Sequence, residues 1–146
     1  MAELSGAGTL WKLTGGLTLN ATVSSFATNR VVINEKAVVA TPSLTLASST
    51  FGRAALVIQP GMLYVTNSLG SANLSASGLI DLNGGLLRAD ILTASSSSAS
   101  AINLRAGRAE WRTSDFATGV ALRVGDGFGL ASLNLLGGSN TCRSGL

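Results

Sequence analysis

The 146 residues predict an all-β fold, a right-handed parallel β-helix of about six coils with a period of 20–25 residues. Three observations predict it. The composition is that of strands and turns: 46% apolar, 12% charged and 18 Gly, with Ser, Thr and Asn over most of the rest. A short apolar pattern recurs around glycines at near-constant spacing. In the register that this pattern sets, charged and amide residues fall next to chemically matching ones.

The pattern is apolar-x-apolar-x-x-Gly-x-apolar-x-apolar. It holds for Leu56, Ile58, Gly61, Leu63 and Val65; for Ile80, Leu82, Gly85, Leu87 and Ala89; and for Ile102, Leu104, Gly107, Ala109 and Trp111. It extends upstream with Lys36 in the glycine position, between Val31, Ile33 and Val38, Ala40. The first and last units are shortened, around Gly15 and Gly127. Each unit has too little apolar surface to fold alone, and stacking buries a continuous core. The stretch 78–90, GLIDLNGGLLRAD, is by itself a hairpin signal around Asn83-Gly84. In the repeat it becomes two successive strands of one coil, with Gly85 at the corner. Segments such as TNSLGSANLSASG and TASSSSAS read as loops between coils. They supply no helical return, which disfavours a leucine-rich repeat of similar period. An antiparallel sandwich shares the short, regularly spaced strands and stays open.

Residues at one offset should stack about 4.8 Å apart. One outward series is Val39, Tyr64, Arg88, Glu110; another is Thr41, Thr66, Asp90, Arg112; a third is Asn34, Gln59, Asn83, Arg105. These predict ion pairs Arg88–Glu110 and Asp90–Arg112 and an amide ladder.

The chemistry-bearing residues are few. There is no His, which removes the usual neutral-pH base and the commonest metal ligand. Cys142 is the one cysteine and has no base near it in sequence. No metal-binding or Walker-type spacing occurs. Gly125, Gly127 and Gly129 imitate a nucleotide loop, but the following LASLNLLGG alternates as a strand where a phosphate site needs a helix. The seven acids, Glu3, Glu35, Asp81, Asp90, Glu110, Asp115 and Asp126, carry the best enzymatic case. Catalytic acid–base pairs must converge within roughly 10 Å, and Asp90 and Glu110 are the two placed to do so. Each already has an arginine neighbour in the register. A threonine face for binding ice would need Thr-x-Thr at one offset, which does not recur. The sequence therefore predicts no enzyme, no cofactor and no metal.

Net charge is +3, and the eight Arg between Arg30 and Arg143 form no block, so no nucleic-acid footprint is expected. No signal peptide is visible at the N-terminus. No apolar run reaches the roughly 18 residues of a membrane helix.

The stretches at the two ends are the most specific. GAGTLWKLTGGLTL at 6–19 and LNLLGGSNTCRSG at 133–145 resemble the opening and closing halves of the autotransporter-associated β-strand repeat. Gly6, Gly8, Thr9, Leu10, Lys12, Leu17 and Leu19 carry the first match. Leu133, Leu135, Gly138, Asn140, Thr141 and Gly145 carry the second. Cys142 departs from the family's usual Tyr, and Leu13 and Thr14 alter its central glycine spacing. The resemblance implies a β-helical passenger segment, residues 1–146, of a longer repetitive exported bacterial protein. It implies an extracellular or cell-surface location and a stalk, scaffold or adhesin role. Expected partners are flanking repeats of the parent chain, a host surface or polysaccharide, and other copies through uncapped ends. A polysaccharide-binding or -cleaving β-helix is the alternative.

Overall fold

Alternation of apolar and polar residues places every second side chain on one side of a strand, and parallel pairing at a fixed register keeps those sides aligned from coil to coil. A computed structural model describes residues 2–21, 28–49, 51–95, 101–126 and 129–143 and shows this arrangement. Its fourteen strands all pair in parallel, and among the described residues there is no helix. They form six stacked rungs, each crossing three faces. Rung one is β1 (Ala2–Leu4), β2 (Leu10–Lys12) and β3 (Leu17–Ala21). Rung two is β4 (Thr28–Asn34), β5 (Val38–Thr41) and β6 (Ser43–Ser48). Rung three is β7 (Arg53–Gln59), β8 (Gly61–Val65) and β9 (Asn73–Ala76). Rungs four and five are single bent strands, β10 (Leu79–Ala94) and β11 (Ala101–Phe116). Rung six is β12 (Ala121–Val124), β13 (Ala131–Leu135) and β14 (Asn140–Cys142).

The predicted inward residues are in place. Ile80 stacks on Leu56 and Ile102, Leu82 on Ile58 and Leu104, Leu87 on Leu63 and Ala109, and Ala89 on Val65 and Trp111. All twelve are buried. The segments 80–82 and 87–89 therefore pair with the rungs on either side of them, not with each other, and the hairpin is excluded. Corner glycines make the bend. Gly85 and Gly107 take φ +83° and +91°, a region where a side chain is strained. They also stack on one another so closely that a Cβ on Gly107 would lie 2.6 Å from Gly85 O. Gly85 meets Gly61 in the same way.

Several sequence expectations need correction. Lys36 is not the residue stacked on Gly61; Met62 pairs with Val38 and Leu63 with Val39, so Ala37 lies in that column. Glu35 and Lys36, at φ +49° and +64°, form a left-handed turn that adds one residue to this corner. Val39 and Thr41 consequently face inward, and Ala40, not Val39, stacks beneath Tyr64. Gly15 is not the first unit's centre either. Trp11 pairs with Val39 and Leu17 with Leu44, so Gly15 and Gly16 belong to the second corner of rung one. Gly127 lies outside the described residues, and the residue paired with Gly107 is Ala131.

The larger omission is the third face. Parts of the segments read as loops are strands there. Leu74, Ala76, Leu92, Ala94 and Phe116 point inward from β9, β10 and β11 and are buried. Phe116 meets Trp111 edge to face, with ring centres 5.9 Å apart. Leu44 and Leu46 continue the same ranks below them.

Candidate functional site

A solenoid of this kind can act through its outer faces, its corners and its ends. The carboxylates are spread over the outer faces. On the first face, Asp81 accepts a 2.8 Å hydrogen bond from Arg105 Nε. A local register shift between rungs four and five leaves Arg105 out of the pairing and lets it reach back. On the second face Glu110 lies between Arg108 Nε at 2.9 Å and Arg88 Nε at 3.8 Å. The predicted Arg88–Glu110 pair thus forms, with Arg108 as the closer partner. On the third face Asp115 is held by both Arg143 Nε and Nη2 at 3.1 Å.

These pairs shift the titration of exposed groups in the expected directions. The hydrogen bond and charge of Asp81 raise Arg105 further above its usual range. The hydrogen bond from Arg143 holds Asp115 below the usual carboxylate range, and Asp115 in turn raises Arg143.

Asp90 does something else. It is 5% exposed, and its Oδ2 accepts from the backbone N–H groups of Asn67 at 2.9 Å and Ala72 at 3.3 Å. It therefore anchors the loop between β8 and β9, which Asn67 Oδ1 closes by accepting from Leu69 and Ser71 N–H. Arg112 extends over this loop toward Gly70, and the predicted Asp90–Arg112 ion pair is not among the ion pairs of the described residues. The amide series is broken as well. Asn34 does pair with Gln59, but Asn83 pairs with Ala106, and Asn34 Oδ1 accepts from Glu35 N–H within its own turn.

The four acids described above are each already engaged by a partner. Asp81, Glu110 and Asp115 sit on three different faces with arginine partners, and Asp90 is committed to a loop. Among the described residues no three His, Cys, Asp or Glu side chains gather as a metal site would require. Cys142 is exposed on β14. Gly129 N–H donates to Asp126 Oδ1 at 3.3 Å, and the next described element is strand β13, where a phosphate site needs a helix N-terminus.

Two surface features remain. A shallow groove of about 280 Å³ runs along the corner after the first face, lined by Asn103, Arg105, Arg123 and Asp126. Arg123 Nη1 donates to Asn103 Oδ1 at 3.3 Å. Among the described residues its lining holds no aromatic ring, the platform on which a sugar face usually rests.

The second feature is a rank of outward polar residues on the third face. Thr18, Thr45, Ser75, Thr93, Asp115 and Thr141 stack in continuous register. The next rank includes Ser43, Asn73, Ile91 and Thr113, and Thr93 Oγ1 donates to Asn73 Oδ1 at 3.3 Å. Five of six members of the first rank are hydroxyls, but Asp115 with its arginine and Ile91 beside Thr93 interrupt the uniform Thr-x-Thr lattice that an ice-binding face requires.

The two end stretches can now be placed. Trp11 and Leu133 occupy the same inward rank, and Gly15-Gly16 and Gly137-Gly138 lie at the same corner of rungs one and six. Leu17 and Leu19 are on the third face, whereas Leu133 and Leu135 are on the second. Compared with protein-family models, curated proteins and solved structures, the chain matches none.

Proposed function

We propose that this chain is a structural segment, a stalk or scaffold, of a repetitive surface-exposed or secreted bacterial protein. The observation that carries the reading is the continuous parallel pairing of six rungs on all three faces. Such a stack is a stiff cylinder whose length is set by rung number. The end stretches that resemble autotransporter-associated repeats supply the surface location. The dispersal of the acids and their arginine partners supports a role without chemistry. Stacked polar ranks and loops offer weak, distributed contacts to another surface, which is how the segment would contribute to adhesion.

The groove around Arg105 and Arg123 is what favours the second reading, a polysaccharide-binding segment. One experiment separates the two. Residues 79–100 are duplicated in place, adding a rung. A modular rod lengthens along its axis by about 4.8 Å in solution scattering, with the strand signal per residue unchanged. A collapsed or misfolded product contradicts the rod. Retention of the original chain on a polysaccharide panel, abolished by Arg105→Ala with Arg123→Ala, moves the assignment to the second reading.

A further inference from the structure

The two ends of the stack match each other. Among the described residues nothing covers the outer edge of rung six or of rung one, and no strand pairs there. Rung six leaves Leu135 and Val124 exposed at 53% and 48%, although both belong to inward ranks, above Trp111 and Leu104. A hollow of about 210 Å³ opens at this end between Trp111, Phe116, Leu122, Leu133 and Leu135. The Trp111 indole N–H is buried in the same region with no acceptor. At the other end, Trp11 belongs to an inward rank and is 37% exposed.

We infer that a second copy of this chain stacks head to tail on the first, with rung one of one copy continuing rung six of the other. The rank alignment fixes the register. Reading each column through the rungs, Arg123 shares its outward rank with Asn103, Asp81, Val57, Val32 and Glu3. In a head-to-tail stack Glu3 of the incoming copy therefore lies beside Arg123, one rung spacing away. The same alignment sets Leu4 against Val124, Trp11 against Leu133, and Thr18 against Thr141. Edges of this kind are templates for another strand. Because the joined surfaces differ, the contact does not close on itself and propagates as a filament.

The inference rests on the rod reading and concerns the 146-residue chain by itself, since rungs of a longer parent would occupy the same two edges; its test is separate from the added-rung experiment. One variant blocks the rung-six edge with inward charges, Leu133→Lys with Leu135→Lys. Another blocks the rung-one edge with Leu4→Lys and Trp11→Lys. In sedimentation the original chain gains mass with concentration. Each folded variant alone stays a monomer, and their mixture forms a one-to-one dimer and nothing larger. Dimerisation of either variant alone overturns the head-to-tail geometry, and a concentration-independent monomer of the original chain overturns self-stacking altogether. Exposed positions give a second arm that does not depend on core substitutions. Arg123→Glu weakens association several-fold, and Glu3→Arg in the same chain restores it; no difference among these three proteins overturns the register. A rod that lengthens with an added rung yet never self-associates leaves the rod reading standing and this inference refuted.

Discussion

Replacing Gly107 with alanine puts a methyl group where the backbone of rung four already lies. Two costs add. At φ +91° an L-residue is strained by about 1–2 kcal/mol. The new Cβ lies 2.6 Å from Gly85 O and 2.8 Å from Gly84 C, so rungs four and five must separate locally, an overpacking cost of about 1–3 kcal/mol. The reduced freedom of the unfolded chain returns about 0.4–1 kcal/mol. The net loss is about 1–4.6 kcal/mol, with its middle near 3. Gly125 is the internal control. Its φ of +81° carries the same strain, but a Cβ there meets nothing within 4 Å, so Gly125→Ala loses only about 0–1.6 kcal/mol. Thermal denaturation followed by circular dichroism resolves the difference, since 1 kcal/mol moves the midpoint by about 2–4 °C in a chain near this length. Equal midpoints for the two variants would refute the claim that close stacking of corner backbones, beyond conformational preference, holds the rungs together.

Two further outcomes follow from the same structure. Asp90→Ala removes a buried carboxylate acceptor from two backbone N–H groups and costs about 1.5–3 kcal/mol, while Asp90→Asn, which keeps an acceptor of the same size, loses less; limited proteolysis should cut the 67–71 loop faster in the alanine variant, and an unchanged cleavage rate would remove Asp90 from its anchoring role. Because the Asp115 carboxyl is held below its ordinary range, its pair with Arg143 stabilises the fold above the unfolded-state carboxylate pKa and ceases to do so as pH falls through the lower folded-state value. The small stability difference between the original chain and Asp115→Asn is therefore present at pH 7 and shrinks as pH falls below the ordinary carboxylate range, measured as denaturation midpoints from neutral into acid. A difference that persists in acid would contradict the ion pair.

How far the sequence disclosed this arrangement varied by face. On the first two faces Leu56, Ile80 and Ile102, and Leu63, Leu87 and Ala109, announce themselves because strong apolar alternation flanks a glycine that the corner requires. The third face stayed hidden because its inward positions are short and chemically mild: Leu74 and Ala76, Leu92 and Ala94, set among serines and threonines that also compose loops. Corners blurred the ends of the pattern. Ala37, following a two-residue left-handed turn, and Ala131 occupy a column that glycine fills elsewhere, so glycine alone mislocates the outer rungs. Charge neighbours across one rung, as in Arg88 and Glu110, follow from register. The partners of Asp90 do not, because they belong to a loop whose path no periodicity specifies. The hydroxyl rank from Thr18 to Thr141 disappeared with the third face.

Pairing only with adjacent rungs has a kinetic consequence. Among the described residues no strand waits for a partner more than one turn of the chain away, and the entropy of closing such a segment grows only with the logarithm of its length. A completed rung is the template for the next. The molecule can thus be assembled in the order in which its residues arrive, each new turn settling on the last, so that a chain emerging through a narrow opening need not be wholly released before most of it has its final shape.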